Sequence, residues 1–201
     1  MSKASRSQQS QFTFSFRKKL VESYSELVRD ELQRGMDAYY LSFMFNQLPG
    51  GPRQQTEQML AEVERVRNIL TRQVVRKPES PNWGHLRPVF IVCPDLPVAK
   101  HVKQEVRAFN VNDGLHVNAV VLVPPPPPCY LPRGVNQHPL FGKLSRLRDT
   151  LDVHFEESKR FYLTEKLYRI HVTPDPRGAT VDYVLKNFKN GKIDYDNVRV
   201  L

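Results

Sequence analysis

The chain has 201 residues, 40% hydrophobic, 25% charged and 10% aromatic, a balance typical of a globular domain with a core of ordinary size. It contains no run of about 18 apolar residues, which excludes a membrane-spanning helix, and MSKASRSQQSQ lacks the apolar stretch of a secretory signal. Two cysteines, Cys93 and Cys129, cannot build a disulfide framework or a four-thiolate zinc site.

These features point to a soluble cytoplasmic chain. A formal net charge of +9 favours an anionic partner, nucleic acid being the commonest. The basic residues are spread along the sequence rather than gathered in one run.

Residues 1–16, Ser/Gln-rich, are expected to be a disordered tail. Leu20, Tyr24, Leu27, Val28 and Leu32 recur at helical spacing and predict an amphipathic helix over 17–34, closed by Gly35. YYLSFMFNQL (39–48) is aromatic and β-favouring and stops at Pro49-Gly50-Gly51, which reads as a strand. Pro52 suits the first turn of a helix, and Met59, Val63, Val66, Leu70 and Val74 keep the 3.6-residue period through 52–75. Two strands follow, 87–96 and 115–124, the second cut off by five prolines at 124–128 that supply no ladder donor.

Residues 129–142 read as a loop, 143–158 as a short charged helix and 165–173 as a strand. A last helix begins near 178, where Val181, Val184, Leu185 and Phe188 form one apolar stripe, and KIDYDNVRVL offers a final strand. The order of elements predicts an α+β fold: a central antiparallel sheet with helices packed on it, in a ferredoxin-like or RRM-like arrangement. A single domain is expected over 17–201, with its core at 38–191.

Chemistry-bearing residues fall in two places. On the strand 115–124 the period of two puts His116 and Asn118 on one face, about 7 Å apart at Cα, where an imidazole nitrogen and an amide oxygen can converge on one divalent ion. The plainer alternative is a polar strand end with both side chains hydrogen-bonded near solvent. On the last helix Tyr183 and Lys186 are three apart and lie off the apolar stripe together with Asn187 and Asn190. A cation beside a phenol favours phenolate, a better nucleophile, and can hold a phosphate; the plainer alternative is a surface tyrosine beside a solvated lysine.

His171 alternates with Arg169 and Thr173 on its strand and reads as a partly exposed structural histidine. Cys93 reads as a small core hydrophobe, and Tyr39 and Phe45 as core aromatics rather than base-stacking ones. No G-x-x-x-x-G-K-[ST] loop, no G-x-G-x-x-G after a strand and no zinc-finger set occurs.

Taken together, YYLSFMFNQLPG (39–50), LHVNAVVLVP with His116-Val117-Asn118, and YRIHVTPDPRGATVDYVLKNFKNG with Tyr183-x-x-Lys186 resemble the three motifs of the HUH-type single-strand DNA endonucleases. That superfamily includes rolling-circle replication initiators, relaxases and single-strand transposases. The departure is Asn118, which stands where the family carries its second histidine. An amide oxygen is a poorer ligand for transition metals and suits Mg²⁺ or Mn²⁺.

The resemblance implies metal-dependent nicking and joining of single-stranded DNA through a tyrosine–phosphate intermediate, in replication initiation of a mobile element. Tyr183 and Lys186 would be catalytic, and His116 and Asn118 would hold the ion. A third ligand cannot be assigned from the sequence. The alternative is a non-catalytic single-stranded nucleic-acid-binding module of the same fold.

Overall fold

The structure, a computed structural model, describes residues 3–95, 114–129, 131, 137–138 and 142–201, with the backbone alone for 3–13 and 137. A first helix, α1 (Lys3–Gln33), leads into the edge-to-edge run of a sheet: β1 (Asp37–Phe45), α2 (Pro52–Val74), β2 (Val89–Asp95) and β3 (His116–Val123). Then come a two-residue ribbon, β4 (Gln137–His138) and β5 (Gly142–Lys143), followed by α3 (Leu151–Tyr162) and β6 (Leu167–Pro174). Two short helices, α4 (Val181–Val184) and α5 (Lys186–Lys189), and β7 (Arg199–Val200) complete the chain. The main sheet has the order β6-β1-β3-β2-β7, every neighbour antiparallel. The fold is therefore α+β, as expected.

Alternation along the strands divides the side chains between two cores. Tyr39, Leu41, Phe43 and Phe45 of β1, Phe90 and Val92 of β2, and Val117, Ala119 and Val121 of β3 meet the stripe Met59, Val63, Val66, Leu70 and Val74 of α2. Every residue of that stripe is fully buried, and each contributes roughly 1.5–3 kcal/mol of hydrophobic stabilisation. Tyr39 and Phe45 belong to this core, as the sequence predicts.

On the opposite face Ala38, Ile91, Cys93, Val120 and Leu122 meet Val21 and Val28 of α1 and Val181, Val184, Leu185 and Phe188 of the last helices. Burial pushes the Cys93 thiol up to about 12, so it behaves as an inert hydrophobe.

Several boundaries differ from expectation. The first helix starts at Lys3 rather than 17, taking in the stretch expected to be disordered. No proline or glycine precedes Gly35, and lysine, arginine and glutamine are good helix formers. Its end is as predicted: Gly35 takes φ +89°, and Gly35 N and Met36 N donate to Leu32 O and Glu31 O.

The helix expected at 143–158 begins only at Leu151. Leu144, Leu147 and Leu151 have helical spacing, but Lys143 is in a ribbon and Arg146 N donates to Val74 O, tying this stretch to the end of α2. The helix expected from 178 is broken at Leu185 into α4 and α5. The strand expected at 87–96 is Val89–Asp95; position 96, His101 and much of the 129–142 loop lie outside the described residues.

Candidate functional site

The sheet register assembles a polar cluster where β2 ends and β3 begins. Asp95 pairs with His116, and Cys93 with Asn118; from the other side Met44 pairs with His116 and Ser42 with Asn118. The strand period sends Asp95, His116 and Asn118 to the face that carries α4 and α5. Tyr40, two residues from Ser42, lies on that same face.

Asp95, 8% exposed, is the hub. Its Oδ2 accepts from His116 Nε2 at 2.9 Å, from Lys186 Nζ at 2.8 Å and from Asn118 Nδ2 at 3.1 Å, and its Oδ1 accepts from Asn187 Nδ2 at 2.5 Å. Burial works against the charged form, yet the hydrogen bonds from His116 and Lys186 overcome it and hold the carboxyl well below the usual carboxylate range. The hydrogen bond to Asp95 raises the imidazole of His116 against the opposing pull of burial. Burial would lower the Lys186 ammonium, but Asp95 outweighs it and the net shift is upward.

A second ring of contacts closes on the first. Tyr40 Oη donates to Asn118 Oδ1 at 2.8 Å, giving the fully buried amide partners at both ends. The Tyr40 ring meets Tyr183 edge to face, with centroids 5.7 Å apart, and burial raises the Tyr40 phenol. Tyr183 is 50% exposed, and Lys186 Nζ stands 4.2 Å from the centroid of its ring. The contacts thus run from Tyr183 through Tyr40, Asn118 and Asp95 to Lys186 and back to Tyr183.

The elements carrying the phenol and the ammonium are held at both ends. Before α4, Asp175 accepts from Ala179 N and Thr180 N at 3.0 Å each and from Thr180 Oγ1 at 2.6 Å, capping the entry turn. Within that turn Gly178 takes φ +60°, and a Cβ there would lie 2.5 Å from Val28 Cγ1, so only glycine lets the turn seat against α1. After α5, Arg17 Nη1 donates to Phe188 O at 2.7 Å and to Ile193 O at 3.0 Å.

All four residues singled out in the sequence, His116, Asn118, Tyr183 and Lys186, meet in this cluster. Asp95, Tyr40 and Asn187 were not foreseen. Asn187 was expected to point off the core with Tyr183 and Lys186, but it is 5% exposed and turned onto Asp95; three residues after Val184, it lies at the edge of the apolar stripe. Asp95 left one signal, a carboxylate ending an apolar strand, but its partner depends on a register the sequence does not spell out.

His171 lies on the same sheet face, opposite Ser42 on β1, and is exposed. His154 is elsewhere, on α3, with Nε2 2.7 Å from Tyr162 Oη.

Among the described residues no three His, Cys, Asp or Glu side chains gather as a metal group. The cluster nonetheless supplies an imidazole, a carboxylate and an amide, a donor set that hard divalent cations accept. Gly114 O accepts from His116 Nδ1 at 2.8 Å, so Nε2, which donates to Asp95 here, is the nitrogen that could ligate an ion once its proton has left. The Asn118 amide turns its NH₂ toward Asp95 because a carboxylate only accepts. Turning it over presents its oxygen instead, and the Tyr40 hydroxyl, donor or acceptor, can partner either orientation.

No protein-family model, curated protein or solved structure matches the chain. Among the described residues no helix is long and apolar enough to cross a membrane.

Proposed function

We propose that the chain nicks and rejoins single-stranded DNA, with Tyr183 as nucleophile and a divalent ion, Mg²⁺ or Mn²⁺, held by His116, Asp95 and Asn118. The observation that carries this reading is the exposed phenol of Tyr183 beside Lys186, next to a buried carboxylate and amide joined by a part-exposed imidazole at one end of an antiparallel sheet. The succession β1-α2-β2-β3-α3-β6 with strand order β6-β1-β3-β2 supports a ferredoxin-like arrangement, the finer form of the fold. Beside the cluster, β6 turns Arg169, His171 and Thr173, all exposed, to the same face and offers a polar strip for a DNA strand. The net charge of +9 suits such a partner.

Tyr183 Oη attacks the scissile phosphorus and gives up its proton. The bond to the 3′ oxygen breaks, that oxygen takes up a proton, and the 5′ phosphate stays on the tyrosine. Lys186 favours the phenolate by its charge. Asp95 orients His116 and, with Asn187, fixes the cluster beneath the reacting atoms. A divalent ion held by His116, Asp95 and Asn118 would supply neutralisation of the charge that develops on the phosphate. Because the phosphotyrosine conserves the diester, attack by a 3′ hydroxyl reverses the step and joins strands, chemistry that suits initiation of replication by a mobile element in the cytoplasm.

The closed hydrogen-bond network around Asp95, complete without an ion, favours one second reading: a module that binds single strands and has no catalysis. Labelled single-stranded oligonucleotides incubated with Mn²⁺ separate the two. A denaturant-resistant adduct that disappears with EDTA and in Tyr183→Phe supports the nuclease; retention of the strands without any adduct overturns it in favour of the module.

A further inference from the structure

Resting on the nuclease reading, we infer that Lys186 is a tethered cation that holds the ion position and is exchanged for the divalent ion, so that ion binding delivers its ammonium to Tyr183. Three donors converge on one oxygen, Asp95 Oδ2: His116 Nε2 at 2.9 Å, Asn118 Nδ2 at 3.1 Å and Lys186 Nζ at 2.8 Å. His116, once Nε2 gives up its proton, and Asn118, once its amide turns its oxygen inward, are the other groups able to ligate, so the ammonium stands among the atoms that would surround an ion. It supplies there what an ion would, positive charge against a carboxylate that is nearly out of water.

The same nitrogen is also 4.2 Å from the centre of the Tyr183 ring. The backbone beneath it is fixed: Lys189 N and Asn190 N donate to Leu185 O and Lys186 O, and Arg17 holds Phe188 O. Exchange therefore needs movement of one flexible side chain, 35% exposed, and no rearrangement of α5. A divalent ion and an ammonium on one carboxylate oxygen repel strongly at contact distance. A bound ion would push Nζ off Asp95 and leave it to the phenol of Tyr183, whose ring and hydroxyl it already adjoins. Ion occupancy and activation of the nucleophile become one event. By linkage, whatever the ion spends on displacing Lys186 is returned as tighter ion binding when the lysine is removed.

The test is a Mn²⁺ titration followed by the electron paramagnetic resonance of the free ion, on wild type and Lys186→Gln. Exchange predicts that the variant binds Mn²⁺ more tightly, by about tenfold, although it loses DNA cleavage. Equal or weaker binding in the variant overturns the exchange. A second measurement needs no altered fold: in wild type carrying ¹³C-dimethylated lysines, the resonance missing from Lys186→Gln should move when Mg²⁺ is added, and one that stays in place while Mg²⁺ binds also overturns it.

Failure of the underlying reading looks different. Wild type that forms a Tyr183-dependent adduct but shows no affinity gain in Lys186→Gln loses the exchange alone. If Mn²⁺ binding ignores His116→Ala and no adduct forms, the nuclease reading and the exchange fall together.

Discussion

The two faces of the sheet are made from alternate residues of the same strands, yet they are built differently. Under α2 and α3 the face is apolar along the full length of β1 and β3, from Tyr39 to Phe45 and from Val117 to Val123. Under α1, α4 and α5 it is apolar only at one end, around Ile91, Val120 and Leu122. At the other end Asp95, Asn118 and Asn187 are buried with hydrogen-bond partners at hand. A dry face admits one arrangement, because any shift opens a void. The polar end is held instead by directed hydrogen bonds, four of which share the one carboxylate of Asp95. Stability should therefore be concentrated on the first face and chemistry on the second.

The largest effect expected is on the second face, and it leaves the fold alone. Tyr183→Phe removes one half-exposed hydroxyl and should abolish the covalent adduct, while stability to urea stays within about 0.5 kcal/mol of wild type. On the first face the reverse should hold. Phe43, fully buried between β1 and its neighbours, should cost about 3–5 kcal/mol as Phe43→Ala in the same urea experiment. A folded Phe43→Ala protein should still form the adduct. If Phe43→Ala proves as harmless to stability as Tyr183→Phe, the division between the faces is wrong.

Asp95→Ala sits between these extremes, because it takes the acceptor away from His116, Lys186, Asn118 and Asn187 at once. Buried donors left without partners should cost about 1–3 kcal/mol, and adduct formation should be lost as well. Tyr40→Phe is gentler. It keeps the ring against Tyr183 and removes only the hydroxyl that serves Asn118 Oδ1, a change worth about 1–2 kcal/mol in urea. A loss in Tyr40→Phe as large as in Asp95→Ala would mean that the phenol, and not the carboxylate, organises the cluster.

The unequal faces also explain what the sequence disclosed. The dry face follows period rules, so α2, β1 and β3 could be placed within a few residues from Met59, Val63, Val66, Leu70 and Val74 and from the alternation through 115–123. His116 with Asn118, and Tyr183 with Lys186, were visible because each pair lies within one element. The pairing of Asp95 with His116 spans 21 positions and depends on strand register, which local spacing does not carry. Asn187 was misread for a related reason: its partner Asp95 is 92 positions away, while the apolar stripe of Val181, Val184, Leu185 and Phe188 says only which side is hydrophobic.

The smallest effect tests whether the dry face is dry to its edge. His154, on α3, shares a hydrogen bond with Tyr162, whose side chain is fully buried and whose phenol is raised by burial. Burial lowers the imidazole of His154 below its ordinary value, and Glu157 and Asp149 only partly offset it. The neutral ring is thus the form the fold prefers. Its contribution is whole above about pH 6.5, where the unfolded chain is also neutral, and is lost as pH falls from there through the lower folded-state value. Between pH 7.5 and 5 the urea midpoint of wild type should fall relative to that of His154→Gln, which keeps a neutral hydrogen-bonding side chain while leaving His116, raised by Asp95, common to both. Parallel slopes for the two proteins would place the His154 ring in water in effect, and the dry face would then end at Phe155 rather than reaching across α3.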